Sequence, residues 1–182
     1  MKHLGTILSG ISLLILIILF NSKWGSIPPL GKLLSPTHGY LIDPELQGIQ
    51  SGFSMVELGG LKDSVQVYFD DRMVPHIFAS NDEDAYFVQG YLHARDRLWQ
   101  MEFQTHFAAG RLSEIVGEKA LVVDRTNRRL GMVYAAEKSL EEMEKDTLTF
   151  LAMNAYTAGV NSYIGTLEEK DLPLEYKILD YQ

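Results

Sequence analysis

Between Asp82 and Gly110 the only helix breaker is Gly90, and no other stretch of the chain restricts the fold as strongly. One long helix is predicted there, with Ser80-x-x-Glu83 ahead of it in the pattern of a capping box. At about 100° per residue, Ala85, Val88, Leu92, Asp96, Trp99 and Phe103 fall within a sector of about 80°. A second sector collects Phe87, Tyr91, Ala94, Leu98 and Met101, and the polar side is Gln89, His93, Arg97, Gln100 and Gln104. A helix apolar on two sides has to lie between layers. Asp96 sits inside the first apolar stripe, where a carboxylate is desolvated and its pKa raised unless it is paired. Arg95 and Arg111 are the nearby cations, so a buried pair that docks the helix is expected at Asp96, and Glu102 is read the same way.

Upstream, Val65, Val67 and Phe69 alternate with Gln66, Tyr68 and Asp70, which predicts a strand with one buried face. Asp71-Arg72-Met73 turns and His76–Ala79 returns, giving a hairpin whose turn carries Met, a residue that disfavours positive φ. Downstream, Gly110 ends the long helix, Leu112–Val116 forms a short one, and Gly117 stops it. Further helices are predicted over Leu130–Lys138 and Asp146–Ile164, the latter with Leu148, Leu151, Ala155, Gly159 and Tyr163 near helical spacing.

The N-terminus reads differently. Leu4–Phe20 carries no charge, follows Lys2 and His3, and precedes Asn21-Ser22-Lys23-Trp24, the pattern of an export signal. At about 1.5 Å per residue this run and its flanks just reach across a hydrocarbon core of about 30 Å. Bulky and charged residues follow the run where a cleavable signal peptide has small ones, so an uncleaved signal anchor is preferred over a removed signal. The remaining chain would then lie outside the membrane, in a bacterium on the periplasmic side, with Trp24 at the interface. Pro28, Pro29, Pro36 and Pro44, interspersed with Gly25, Gly31, Gly39 and Gly48, predict an extended linker. Gln50–Leu61 is ambiguous and closes on Gly59-Gly60.

The formal net charge of −8, from 16 basic and 24 acidic residues, argues against nucleic acid as a partner. The basic cluster Arg125–Arg129, interrupted by Thr126 and Asn127, reads as a helix surface or ion-pair site. The absence of cysteine excludes disulfides and thiolate metal sites. No two of the five histidines are four residues apart, so a helical zinc site has no support. There is no Gly-x-Ser-x-Gly elbow, and Gly59-Gly60 lacks the Lys-Ser or Lys-Thr of a phosphate loop.

Four short motifs, in order, carry a resemblance. Pro75-His76-Ile77, Gln89-Gly90-Tyr91, Asp96-Arg97-Leu98-Trp99-Gln100-Met101-Glu102 and Gly110-Arg111-Leu112-Ser113-Glu114 are similar to the α-chain region of penicillin acylases, which are N-terminal nucleophile hydrolases. Ala155–Ile164 and the Pro28–Lys32, Ser35-Pro36 and His38-Gly39 segments resemble the same family. The resemblance implies an α+β class, this chain being the mostly helical α-chain part, with a β-hairpin, of a four-layer α-β-β-α fold. It divides the chain into a signal anchor or signal peptide at 1–24, an extended linker and edge segment at 25–61, and an incomplete α-chain region at 62–182. Pro75, His76, Gly90, Asp96, Arg97, Trp99, Gln100, Glu102 and Gly110 are carried over as structural motif residues.

None is carried over as catalytic. In the family the nucleophile is a Ser at the head of a β chain released by precursor autoproteolysis, and its own α-amine activates the hydroxyl. Ser80-Asn81 superficially matches the family's Ser-Asn, but Asp82-Glu83 follow, and an internal Ser has no free amine. The implied function is the N-terminal portion of an amidase that hydrolyses C–N bonds in linear amides through an acyl-enzyme, a chemistry tied to antibiotic biosynthesis. The implied partners are the β-chain segment of the same precursor, a small amide substrate in the complete enzyme, and the membrane through residues 4–20. No cofactor is expected in this chain, calcium is expected only in the complete enzyme, and the chain alone is expected to be inactive. The alternative is a membrane-tethered, non-catalytic interaction module that binds through exposed apolar faces.

Overall fold

The computed structural model describes residues 2–22, 24, 29–31, 55–168, 171–179 and 181, so most of the linker expected over 25–61 lies outside the described residues. In chain order the elements are α1 (Lys2–Asn21), β1 (Gln66–Phe69), β2 (Pro75–Phe78), α2 (Asp82–Ala109), α3 (Ser113–Val116), a 3-10 turn (Glu118–Ala120), α4 (Leu121–Leu130), α5 (Met132–Met143), α6 (Thr147–Ile164) and α7 (Leu174–Leu179). Contacts divide the chain into two units, Met1–Gly52 with Glu168–Gln182, and Phe53–Leu167.

In the first unit, the Asn21 side-chain amide and the Trp24 indole N–H donate to the carbonyls of Ile17 and Leu19 at the C-terminal end of α1. Ile7, Leu14 and Ile18 on that helix are all more than half exposed. Among the described residues no helix is long and apolar enough to cross a membrane, so the expected transmembrane helix is not shown.

The second unit is organised by α2. Its N-terminus corrects the capping box: the cap is Asn81, whose side chain accepts from the Asp84 N–H at 2.9 Å, while the Ser80 hydroxyl donates to Asp63. Asn is as good an N-cap as Ser, and its extended backbone (φ −148°, ψ 158°) suits the position. Gly110 ends the helix in the left-handed conformation at φ 66°, with its N–H on Phe107 and that of Arg111 on His106. The helix is not straight. Arg97 has φ −146° and ψ 23°, so two helical segments meet there at a kink that the absence of Gly or Pro near position 97 concealed.

One side of α2 covers the hairpin. Phe87, Val88 and Leu92 are buried, with Leu58, Leu61, Val65, Val67 and Ile77 packed against them. β1 and β2 pair antiparallel in the register Val67↔Ile77, which puts these two on the helix-facing side and Tyr68 and Phe78 on the other. Another side of α2 packs on α6, where Tyr91 meets Tyr163 edge to face at 5.5 Å between ring centres. The expectation of a helix covered on two sides is therefore met, by a hairpin and a helix. Among the described residues the sheet has two strands, and the four-layer arrangement is not shown.

The helix predicted over Leu130–Lys138 is corrected as well. Gly131, at φ 68°, takes a left-handed conformation there and separates α4 from α5. Asp146 caps α6 by accepting from the Thr149 N–H.

Candidate functional site

Three places in the second unit hold Pro75, His76, Gly90 and Gly110, and each is built by a polar group or a glycine that holds backbone to backbone. The first is the base of the hairpin. Asp84, in the first turn of α2, is 1% exposed, and its carboxylate oxygens accept from the N–H groups of Lys62 at 2.9 Å and Asp63 at 3.0 Å. The Asn81 side-chain amide donates to the same carboxylate at 2.6 Å. Burial works against its ionisation, but the Lys62 N–H, the Asn81 amide and the Asp63 N–H together hold its pKa below the usual carboxylate value. Lys62 also pairs with Glu83. At the far end, one Asp70 oxygen accepts from the Arg72 and Val74 N–H groups at 2.9 and 2.8 Å, fixing a turn in which Met73 adopts φ 60°. Those backbone bonds, led by Val74 and aided by His76 3.7 Å away, lower the Asp70 pKa against a smaller opposing effect of desolvation.

The second place is the crossing of α2 and α6. A Cβ at Gly90 would collide with the carbonyl of Tyr156, and one at Gly159 with the carbonyl of Phe87. The helices thus touch through their backbones, with the His93 ring 3.0 Å from the Tyr156 hydroxyl beside the contact.

The third place is the corner after α2. Asp124 of α4 is 3% exposed and accepts from the N–H groups of Leu112 and Ser113, both at 2.8 Å, at the start of α3. Burial opposes its charge, yet the hydrogen bonds from Ser113 and Leu112, with Arg128 nearby, lower its pKa. Arg128 donates to the Gly110 carbonyl at 2.7 Å, Asn127 to that of Phe107, and Arg111 forks onto Glu114. A Cβ at Gly110 would lie 2.5 Å from the Asp124 carbonyl oxygen, so the glycine answers both to a positive φ and to a lack of room. Arg128 thus serves as a corner clasp on a backbone carbonyl, where the sequence pattern predicts a helix surface or ion-pair site for the basic cluster.

The motif residues distribute over these places and the kink at Arg97 and do not converge on one. Pro75 and His76 open β2, the latter exposed. Gly90 is at the crossing and Gly110 at the corner. Asp96, Arg97, Trp99, Gln100 and Glu102 lie at the kink or just beyond it. Asp96 corrects the expected buried pair: its side chain is 41% exposed and joins Arg95 at 2.7 Å, while Arg111 is engaged by Glu114. Past the kink, Arg97 donates to Gln100 at 3.2 Å, Trp99 packs on Phe103, and the half-buried Glu102 lends its carbonyl to Thr105 and to Nδ1 of the buried His106. The missed residues are Asp84, Asp124 and Asp70. Asn81-x-x-Asp84 was legible as a cap pattern, whereas the partners of Asp124 are loop N–H groups that leave no mark in sequence.

Among the described residues no group of three or more His, Asp or Glu side chains is arranged to hold a metal. An open cleft of about 630 Å³ lies between the first turns of α2 and α6, lined by Lys62, Glu83, Tyr86, Thr149, Leu148 and Leu151 among others. The Thr149 hydroxyl there donates to the Asp146 cap and is not placed as a nucleophile.

Residues 64–182 match the sequence model of the penicillin amidase family, a span that holds the crossing, the corner and, apart from Lys62 and Asp63, the base of the hairpin. The chain belongs to the penicillin amidase family. It is 38% identical over 124 residues to a penicillin acylase 2 proenzyme of Pseudomonas sp. strain SE83, a match covering 68% of this chain and 16% of the relative. It is 30% identical over 158 residues to an acyl-homoserine lactone acylase of Pseudomonas aeruginosa, covering 86% of this chain and 18% of the relative. The chain therefore spans less than a fifth of these penicillin amidase relatives. A thermostable penicillin G acylase of Alcaligenes faecalis superposes with a TM-score of 0.57 at 25% identity, over 65% of this chain and 63% of the solved one.

Proposed function

We propose that this chain is the N-terminal, α-chain portion of an amidase that hydrolyses linear acyl amides through an acyl-enzyme, the nucleophilic N-terminal Ser being supplied by a second segment of the same precursor. The carrying observation is the family match over residues 64–182, with relatives that are acylases by name and several times longer. Nearly equal coverage of the two chains in the structural match means that the solved acylase contains a chain of about this length, as a processed precursor would supply. The work of this chain is then positional. Its clamps at Asp84 and Asp124 and its glycine crossing make a stiff support, while proton transfer and acyl transfer occur on groups of the partner segment. Calcium, if the complete enzyme carries it, is held elsewhere.

The same proposal places the chain outside the cytoplasmic membrane. Its support is the uncharged Leu4–Phe20 run behind Lys2 and His3, the pattern of an export signal. Digestion of the chain by a protease added to spheroplasts tests this part, and protection of the chain inside intact spheroplasts refutes it.

The enzymatic part is tested by turnover of a chromogenic acyl anilide. The chain alone is expected to give none, and co-expression with the portion of the strain SE83 proenzyme that this chain does not match is expected to restore turnover. Robust hydrolysis by the chain alone would refute the proposal.

A further inference from the structure

The two edges of the hairpin are chemically unequal. The Asp70 N–H donates to the Val74 carbonyl at 3.1 Å, so Asp70 and Val74 are a hydrogen-bonded pair. In an antiparallel ladder such pairs alternate with pairs whose N–H and C=O groups point outward. Counting back through the register, Tyr68↔His76 is bonded, while Phe69↔Pro75 and Val67↔Ile77 face outward. The outer edge of β1 therefore presents complete donor and acceptor sets at Val67 and Phe69. The outer edge of β2 has no donor at Pro75, a residue that blunts edges against pairing. Beyond the edges, Tyr68 and Phe78 stack edge to face at 5.6 Å on the side away from α2 and are 59% and 60% exposed. A two-stranded hairpin with an aromatic outer face is an unfinished sheet.

We propose that the outer edge of β1 is the docking edge, and that it takes an extended strand from the polypeptide that accompanies this region in the longer family members. This rests on the α-chain reading above. The occupant follows from length: this chain spans 16% and 18% of the relatives matched, so most of a complete family member lies outside it, while the described residues of this chain contribute two strands. Strand addition makes main-chain bonds at Val67 and Phe69, and alternate apolar side chains of the incoming strand extend the layers begun by Val67 and Tyr68. The sheet then grows from β1, and β2 remains its edge.

Amide hydrogen exchange on the full chain, alone and co-purified with the unmatched portion of the strain SE83 proenzyme, is the test. In the complex the Val67 and Phe69 amides are expected to slow at least about tenfold, with Ile77 unchanged. Phe69→Pro removes one outward donor and gives β1 the defect that Pro75 gives β2. It is expected to weaken the complex about five- to tenfold while leaving helical circular dichroism intact. A complex that protects Ile77 and leaves Val67 and Phe69 unchanged overturns the edge assignment but not the α-chain reading. Protection of Val67 and Phe69 by self-association alone makes a second copy the occupant and overturns the proposal. If no complex forms, the α-chain reading fails and takes the edge assignment with it.

Discussion

Gly159 of α6 faces the backbone carbonyl of Phe87 in α2 so closely that there is no space for a methyl group between them. Gly90 and the Tyr156 carbonyl repeat the relationship in the opposite sense, and both contacts are backbone, which cannot swing aside. Gly159→Ala is therefore expected to lower stability by about 1–3 kcal/mol, despite the better helix propensity of Ala. Gly59→Ala, where nothing lies within 4 Å, serves as the comparison. Urea midpoints followed by helical circular dichroism give the two values, and equal midpoints would contradict the close crossing.

Asp84→Asn should reduce the folding equilibrium constant about tenfold or more, because one amide oxygen cannot accept the N–H bonds that two carboxylate oxygens now take. The pH dependence has a definite sign. The folded pKa lies below the ordinary 3.8, so the carboxylate's contribution is fully present above that value and is lost as pH falls through the lower folded pKa. The variant should show a flatter acid limb in stability measured from pH 5 downward. An acid limb as steep as that of the parent would place the titration elsewhere.

Met73→Gly should stabilise the chain by up to about 1 kcal/mol, since a left-handed residue with a side chain carries about that much strain and Met73 is 55% exposed. Thermal unfolding of the pair decides it, and a lower midpoint for the glycine variant would show that the Met73 side chain supplies more than the turn loses.

Asp96→Ala should change stability by less than about 1 kcal/mol, because its pair with Arg95 is exposed and solvent-screened. A loss of several kcal/mol would restore the buried pair that the sequence suggested.

The misplacement of Asp96 shows where sequence reasoning stopped. Extrapolating about 100° per residue from Ala85 assumes a continuous helix, and the bend at Arg97 invalidates the phase for Trp99 and Phe103 after it, whereas Asp96, just ahead of the bend, keeps its place in the stripe but is exposed and paired with Arg95. Ahead of the bend the stripe was legible: Val88 and Leu92 are buried as predicted, and Gly110 ends the helix where its φ of 66° requires a glycine. The hairpin was legible from alternation alone. The four motifs are scattered over the hairpin, the crossing, the kink and the corner, and the carboxylates that fasten the hairpin and the corner find their partners 11 to 22 residues away, at Asp84 and Asp124. Periodicity reports which face a residue occupies but carries no information on which distant N–H it meets.

The Asp84 clamp also has an entropic reading. By tying the Lys62 N–H to a carboxylate 22 residues on, it closes a ring of chain around the whole hairpin. Ring closure limits the conformations open to the enclosed segment, and the constraint is in place before any other strand arrives. A strand that must order itself on binding loses affinity to that ordering, whereas one already drawn taut does not. The hairpin is thus held ready as a template, and the carboxylate that holds it never needs to touch whatever assembles there.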